Sequence, residues 1–78
     1  MYDNKVLVNL YVVSLDKNFE IYIPVNEKVG NVIKMLSRGL FNEEKNMCFI
    51  NTATGSIYKN NDLVRNVDIN NGIKLLLI

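Results

Sequence analysis

Leu63-Val64-Arg65-Asn66-Val67-Asp68-Ile69-Asn70-Asn71-Gly72-Ile73-Lys74-Leu75-Leu76-Leu77-Ile78 is the stretch on which the fold turns. Asn70-Asn71-Gly72 signals a tight turn, because glycine takes a positive φ at no steric cost and asparagine tolerates it. The residues after Gly72 read as a closing strand. Side chains alternate across a strand, so keeping Lys74 in water sends Ile73, Leu75 and Leu77 inward and leaves Leu76 and Ile78 outside. Upstream, Asp62 is placed to cap a short helical turn over Leu63 and Val64.

Working back toward the start, Lys5 to Val13 is rich in β-branched and aromatic residues and reads as an opening strand. Its polar residues Lys5 and Asn9 share one parity. That sets Val6, Val8, Leu10 and Val12 inward and puts Leu7, Tyr11 and Val13 on the outer face. After the polar loop Ser14–Asn18, Phe19, Ile21, Ile23 and Val25 alternate as the inward residues of a second strand, and Pro24 suits an edge because it lacks an amide donor. Asn26 is a candidate N-cap for a helix over Glu27–Arg38, in which Val29, Val32, Ile33, Leu36 and Leu40 form one apolar stripe. Gly39 is expected to end it in the left-handed conformation, with Leu40 folding back toward Met35. Gly30 reads as a tolerated glycine near the first turn. Met47–Asn51 is expected as a third strand, with Met47 and Phe49 inward and Cys48 and Ile50 outward. Thr52–Gly55 reads as a turn and Ser56–Tyr58 as a short fourth strand. The predicted class is α+β: a mixed five-stranded sheet with one helix packed across it.

Seventy-eight residues make one small domain spanning 1–78, which buries roughly 60% of the surface its unfolded chain exposes. With 49% hydrophobic and 22% charged residues the chain is too apolar to be disordered, and no apolar run nears the roughly 18 residues of a membrane span. Direct membrane insertion is not expected. Nine Lys plus Arg against eight Asp plus Glu leave a net charge of +1. The cations are scattered, so no footprint for a nucleic-acid backbone exists. Tyr11, Tyr22 and Tyr58 could stack bases only with a basic cluster beside them, and read instead as strand residues. No secretion signal precedes the first strand, and the single Cys48 cannot form an internal disulfide, which fits a cytoplasmic location. Thirteen asparagines with no Gln, His or Trp hint at an AT-rich bacterial genome.

The element order, together with Asp62-Leu63-Val64, Val67-x-Ile69-x-x-Gly72 and Leu75-x-Leu77, resembles the ubiquitin-like β-grasp superfold across nearly the whole chain. Within it, the Asn61-Asp62-Leu63 run, the stop in the last strand and the Pro-containing second strand before the helix resemble the YukD/EsaB family. Those are small ubiquitin-like proteins associated with type VII (ESX-like, WXG100-exporting) secretion in Gram-positive bacteria. The resemblance implies a cytosolic accessory or regulatory protein that is not conjugated to others, with secretion-system membrane components as candidate partners. It carries over no catalytic residue. The alternatives are an interaction module of another bacterial pathway, or a sulfur-carrier or modifier protein. The last acts through a flexible C-terminal Gly-Gly, and the sequence ends in Leu77-Ile78.

Without histidine, Ser-His and Cys-His nucleophile pairs and His metal sites cannot be built within the chain. Glu43 and Glu44 are neighbours on a loop and diverge, and the four glycines form no phosphate-cradling motif. No enzyme activity, cofactor or metal is expected. The function is expected on the sheet face away from the helix, where Leu7, Tyr11, Val13, Ile50, Leu76 and Ile78 form an apolar protein-binding surface bordered by Lys5, Asn9 and Lys74. A contact between two copies of the chain is one form that binding could take.

Overall fold

The computed structural model of the protein describes residues 4–78. Strand β1 (Lys5–Val12) passes through a 3-10 turn at Val13–Leu15 into β2 (Lys17–Pro24), and the two pair antiparallel. Asp16 closes that turn with φ 51°, a left-handed conformation that short polar side chains support. Helix α1 (Val29–Phe41), strand β3 (Phe49–Asn51), a 3-10 turn at Val64–Asn66 and strand β4 (Ile73–Leu77) complete the chain. β4 lies parallel beside β1, and β3 pairs antiparallel with the far side of β4, so the sheet order is β2-β1-β4-β3.

Strand parity then builds the core. Val8, Leu10, Val12, Ile23, Phe49, Leu75 and Leu77 are buried on the face that receives Val29, Val32 and Ile33 of α1. Val6, Phe19, Ile21 and Val25 point inward as expected but stay half-buried at the margins of that core. Two buried polar side chains are satisfied locally. Ser37 donates its hydroxyl to the Lys34 carbonyl (3.1 Å) and accepts the Lys45 amide (3.2 Å), tying the loop after the helix to its last turns. Asn51 accepts the Ala53 amide at 2.9 Å.

The sheet has four strands, not five. The segment expected as a strand at Ser56–Tyr58 makes a lone bridge from Ile57 to Ile50, beside a hydrogen bond that the Asn51 amide donates to the Ser56 carbonyl at 3.0 Å. Gly55 turns the chain immediately before it with φ 77°. Tyr58 is drawn into the core, where its hydroxyl donates to Asp68 at 2.5 Å, so the backbone leaves the ladder after one pairing. β3 is also shorter than Met47–Asn51.

Both helix ends differ from expectation. The N-cap is Lys28, without a side-chain cap, and Asn26 instead accepts a hydrogen bond from Arg65. The first amides of α1 are satisfied by distant backbone: Val29 donates to the Asp62 carbonyl (2.8 Å) and Gly30 to that of Asn60 (3.0 Å). Gly30 is therefore a close-approach glycine, since a Cβ there would sit 2.8 Å from the Cβ of Asn60. Asp62 closes the preceding turn by accepting the Lys59 amide at 2.9 Å, and the next 3-10 turn begins at Leu63 without a side-chain cap. At the other end the helix runs through Gly39, and Asn42 at φ 60° is the left-handed cap, donating to the Arg38 carbonyl at 3.0 Å. Leu40 and Phe41 are held against the core, and their burial favours the extra turn over a stop at Gly39. Met35 remains exposed.

Candidate functional site

Directly opposed residues in a sheet project to the same side, so the register shows how the uncovered face is laid out. Tyr11 of β1 faces Leu76 of β4, Leu76 faces Ile50 of β3, and Ile50 bridges to Ile57. These four make one apolar row across β1, β4 and β3, which ends on β2 at the exposed Asn18 opposite Tyr11. Tyr11, Leu76 and Ile50 are half-buried, while Ile57 is 64% exposed. Cys48 and Ile78 flank the row, joined by reciprocal backbone bonds of 2.9 and 3.1 Å, and Ile78 is exposed.

A polar row runs beside it. Glu20, Asn9 and Lys74 are directly opposed on β2, β1 and β4 and all three are exposed. Beyond them lie Leu7 and Tyr22, again opposite one another. Of the six residues expected to bind protein, Tyr11, Ile50 and Leu76 are therefore contiguous with Ile78 beside them. Leu7 is set apart by the polar row. Val13 is not on the strand face at all, because the chain has already entered the 3-10 turn there. Asn9 and Lys74 were expected to border the apolar surface, and instead they divide it.

Glu20, Tyr22 and Ile57 belong to this face and were not foreseen as part of it. The alternation of β2 does point Glu20 and Tyr22 outward, which is the signal that would have found them. Ile57 carries no such signal, because it lies outside any regular strand.

Tyr11 is held in place by its hydroxyl, which donates to the carboxylate of Asp16 in the adjoining turn. That bond, and secondarily desolvation and the Asp16 charge, raise the phenol above its ordinary pKa, and the bond itself anchors the ring at the end of the row. Away from this face, Arg38 with Glu44 and Lys45 with Glu43 form ion pairs. Arg38 donates to Glu44 at 2.6 Å and holds that carboxyl below the usual range, first through the hydrogen bond and then through its charge. A cleft of about 350 Å³ between α1 and the loop before β3 contains Lys34, Glu44 and Lys45, yet Lys45 is taken up by the Phe41 ring at 4.3 Å and by Glu43 at 3.9 Å. Among the described residues no three metal-ligating side chains come together, and no helix is long and apolar enough to cross a membrane.

No known protein family and no curated protein matches the sequence. Solved structures do match. A chain in the structure described as "Molecular Mimicry of SUMO promotes DNA repair" superimposes with TM-score 0.80 at 15% identity, over 100% of this chain and 95% of that one. The N-terminal ubiquitin-like domain of the 4931431F19Rik protein gives 0.78 at 18% identity, over 99% of this chain and 76% of that one. The fold is ubiquitin-like. A chain of the MycP5-free ESX-5 inner membrane complex gives 0.65 at 13% identity, over 96% of this chain but 21% of its own length. At these identities the likeness is one of fold, and fold does not fix function. In this frame the helix covers one face of the sheet and leaves the other open.

Proposed function

We propose that the protein is a non-enzymatic ubiquitin-like interaction module, serving as a cytosolic accessory or regulatory component of a type VII secretion system and binding its protein partner through the open sheet face. The observation that carries the binding role is the row Tyr11–Leu76–Ile50–Ile57, an apolar strip on the face the helix leaves uncovered. Contiguous apolar surface of this kind marks contact sites on small soluble domains. The type VII assignment is supported by the sequence resemblance to the YukD/EsaB group. It is also supported by the occurrence of the same fold as a fraction of a chain in an ESX-5 inner membrane complex. The non-enzymatic reading is supported by the lack of any histidine in the sequence and by the engagement of Glu44 with Arg38.

Affinity purification of the tagged protein from its native host, beside the Leu76→Glu variant, tests the proposal. The expected result is recovery of type VII membrane components with the wild type and their loss with the variant. Recovery of components of a different pathway, lost in the same way, would favour the general interaction module and remove the secretion assignment. Capture that is indifferent to Leu76→Glu would remove the open face as the binding surface.

A further inference from the structure

We propose that the open face is also a self-association surface, forming a weak two-fold dimer whose axis runs along β1, so that Glu20 of each chain lies over Lys74 of the other. The inference rests on the reading of that face as a protein-binding surface and specifies one occupant of it, a second copy of this chain.

The argument starts from the polar row. Neighbouring strands are about 4.8 Å apart, so Glu20 on β2 and Lys74 on β4 are held about 10 Å apart with Asn9 between them. The ion pairs among the described residues, Arg38–Glu44 and Lys45–Glu43, involve neither. Any body that covers the face therefore removes water from one negative and one positive charge, which is costly unless it supplies the opposite charge to each. A second copy does so in one orientation. Rotation by 180° about an axis along β1 exchanges the β2 and β4 sides while keeping each residue's position along the strand, which brings Glu20 over Lys74 twice. The other in-plane axis, across the strands, would stack Glu20 on Glu20 and Lys74 on Lys74.

Shape agrees with charge. Gly72 donates its amide to the Leu7 carbonyl at 2.8 Å and so continues the row Tyr22–Leu7 onto the β4 side. The same rotation sets the exposed Tyr22 over Gly72, where no side chain stands and even an added Cβ would meet nothing within 4 Å. Leu7 meets Leu7 and Tyr11 meets Tyr11 on the axis, while Leu76 of each chain lies over Asn18 of the other. The overlap covers β2, β1 and β4 only, which leaves Ile50 and Ile57 outside it and open to another protein. A contact limited to three strands of one small domain is expected to be weak, with a dissociation constant on the order of 10–100 μM.

The test is sedimentation equilibrium on the wild type, Glu20→Lys, Lys74→Glu, their equimolar mixture and the double exchange, with circular dichroism as the folding control. The wild type is expected to dimerise with concentration. Each single variant should associate at least about 10-fold more weakly, because it places like charges opposite one another twice. The mixture should restore association as a heterodimer, and the double exchange as a homodimer. A wild type that stays monomeric to millimolar concentration overturns the dimer, and the Leu76→Glu capture experiment still decides the binding-face reading by itself. A dimer that ignores both substitutions, or that the mixture fails to restore, overturns the proposed orientation.

Discussion

The two faces of this sheet are made by the same four strands and differ by a single residue of register. On the covered face Val8, Leu10, Val12, Leu75 and Leu77 lie at 0–1% exposure. On the open face their immediate neighbours in sequence are Leu7, Asn9, Tyr11, Lys74 and Leu76, and hydrophobic and charged residues are interleaved there in rows. The covered face is selected for volume and tolerates no charge. Its counterpart is arranged in two dimensions, with an apolar row, a polar row and a second apolar pair. Stability should therefore reside on one face and recognition on the other.

Leu75→Glu should break that contrast most severely. It places an unpaired carboxylate at a site of 0% exposure, at a cost of about 4 kcal/mol or more, a large part of the roughly 5–15 kcal/mol that holds a small domain together. Circular dichroism should show an unfolded chain at 25 °C. Next comes Gly30→Ala, on the covered side where the helix meets the 60–62 segment. Helix propensity alone would gain about 1 kcal/mol, but the added Cβ meets both the side chain and the backbone of Asn60. Overpacking of this kind costs about 1–3 kcal/mol, so urea melts should show a net loss, partly relieved by adding Asn60→Gly.

Tyr58→Phe should have a smaller effect, and one that depends on pH. Burial first, and the Asp68 bond second, push the Tyr58 phenol up to about 12 from an ordinary value of 10.0. The unfolded chain thus releases this proton from about pH 10, while the folded one keeps it to about pH 12. The stabilisation is complete below about pH 10 and is lost as pH rises between the two. At the acid end the sign reverses. The Tyr58 bond is the main cause holding Asp68 below the usual carboxylate range, so its contribution is present above that range and disappears as pH falls through the depressed value. Thermal melts of Tyr58→Phe across pH should show a flatter profile than the wild type in both windows. Leu76→Glu should cost about 1 kcal/mol, far less than Leu75→Glu, because the half-buried site loses apolar contact while the carboxylate can still reach water on the open face. Partner capture should nevertheless be lost. A soluble Leu75→Glu beside an unfolded Leu76→Glu would invert the assignment of the faces.

How much of this is legible in the sequence depends on which kind of pattern each feature needs. Parity is local, and it places Val8, Leu10, Val12, Leu75 and Leu77 on one side and Tyr11, Leu76 and Ile50 on the other without any knowledge of the fold. Register is not local. Alternation says which face a residue takes but not which row, so nothing in the chain alone shows that Glu20, Asn9 and Lys74 line up and part Leu7 from Tyr11. The end of β1 is misread for a related reason, since Val13 continues the β-rich run while Asp16, held at φ 51°, draws the backbone into a turn. Gly39 looks like a helix stop because glycine favours left-handed caps, yet Asn42 takes that conformation once Leu40 and Phe41 have been carried to the core. The fifth strand fails on one bridge, where the pull of Tyr58 toward Asp68 outweighs the β-propensity of Ile57. Asn26 has the right chemistry for an N-cap, but carbonyls on the distant 60–62 segment satisfy the helix instead.

Those carbonyls also bear on how the chain is made. Val29 and Gly30 wait for Asp62 and Asn60, and in return Val64 and Arg65 donate to the carbonyls of Glu27 and Val25. The opening strand gains its second neighbour only from residues 73–77. Synthesis proceeds from the N-terminus at about 5–20 residues per second, so for several seconds the hairpin and helix segments of a nascent chain lack both the 60–62 carbonyls and the closing strand and are marginal by themselves. Such a chain cannot fold piece by piece behind the ribosome. It closes in one late step, and until then its most hydrophobic strand is open to whatever chaperone or neighbour reaches it first.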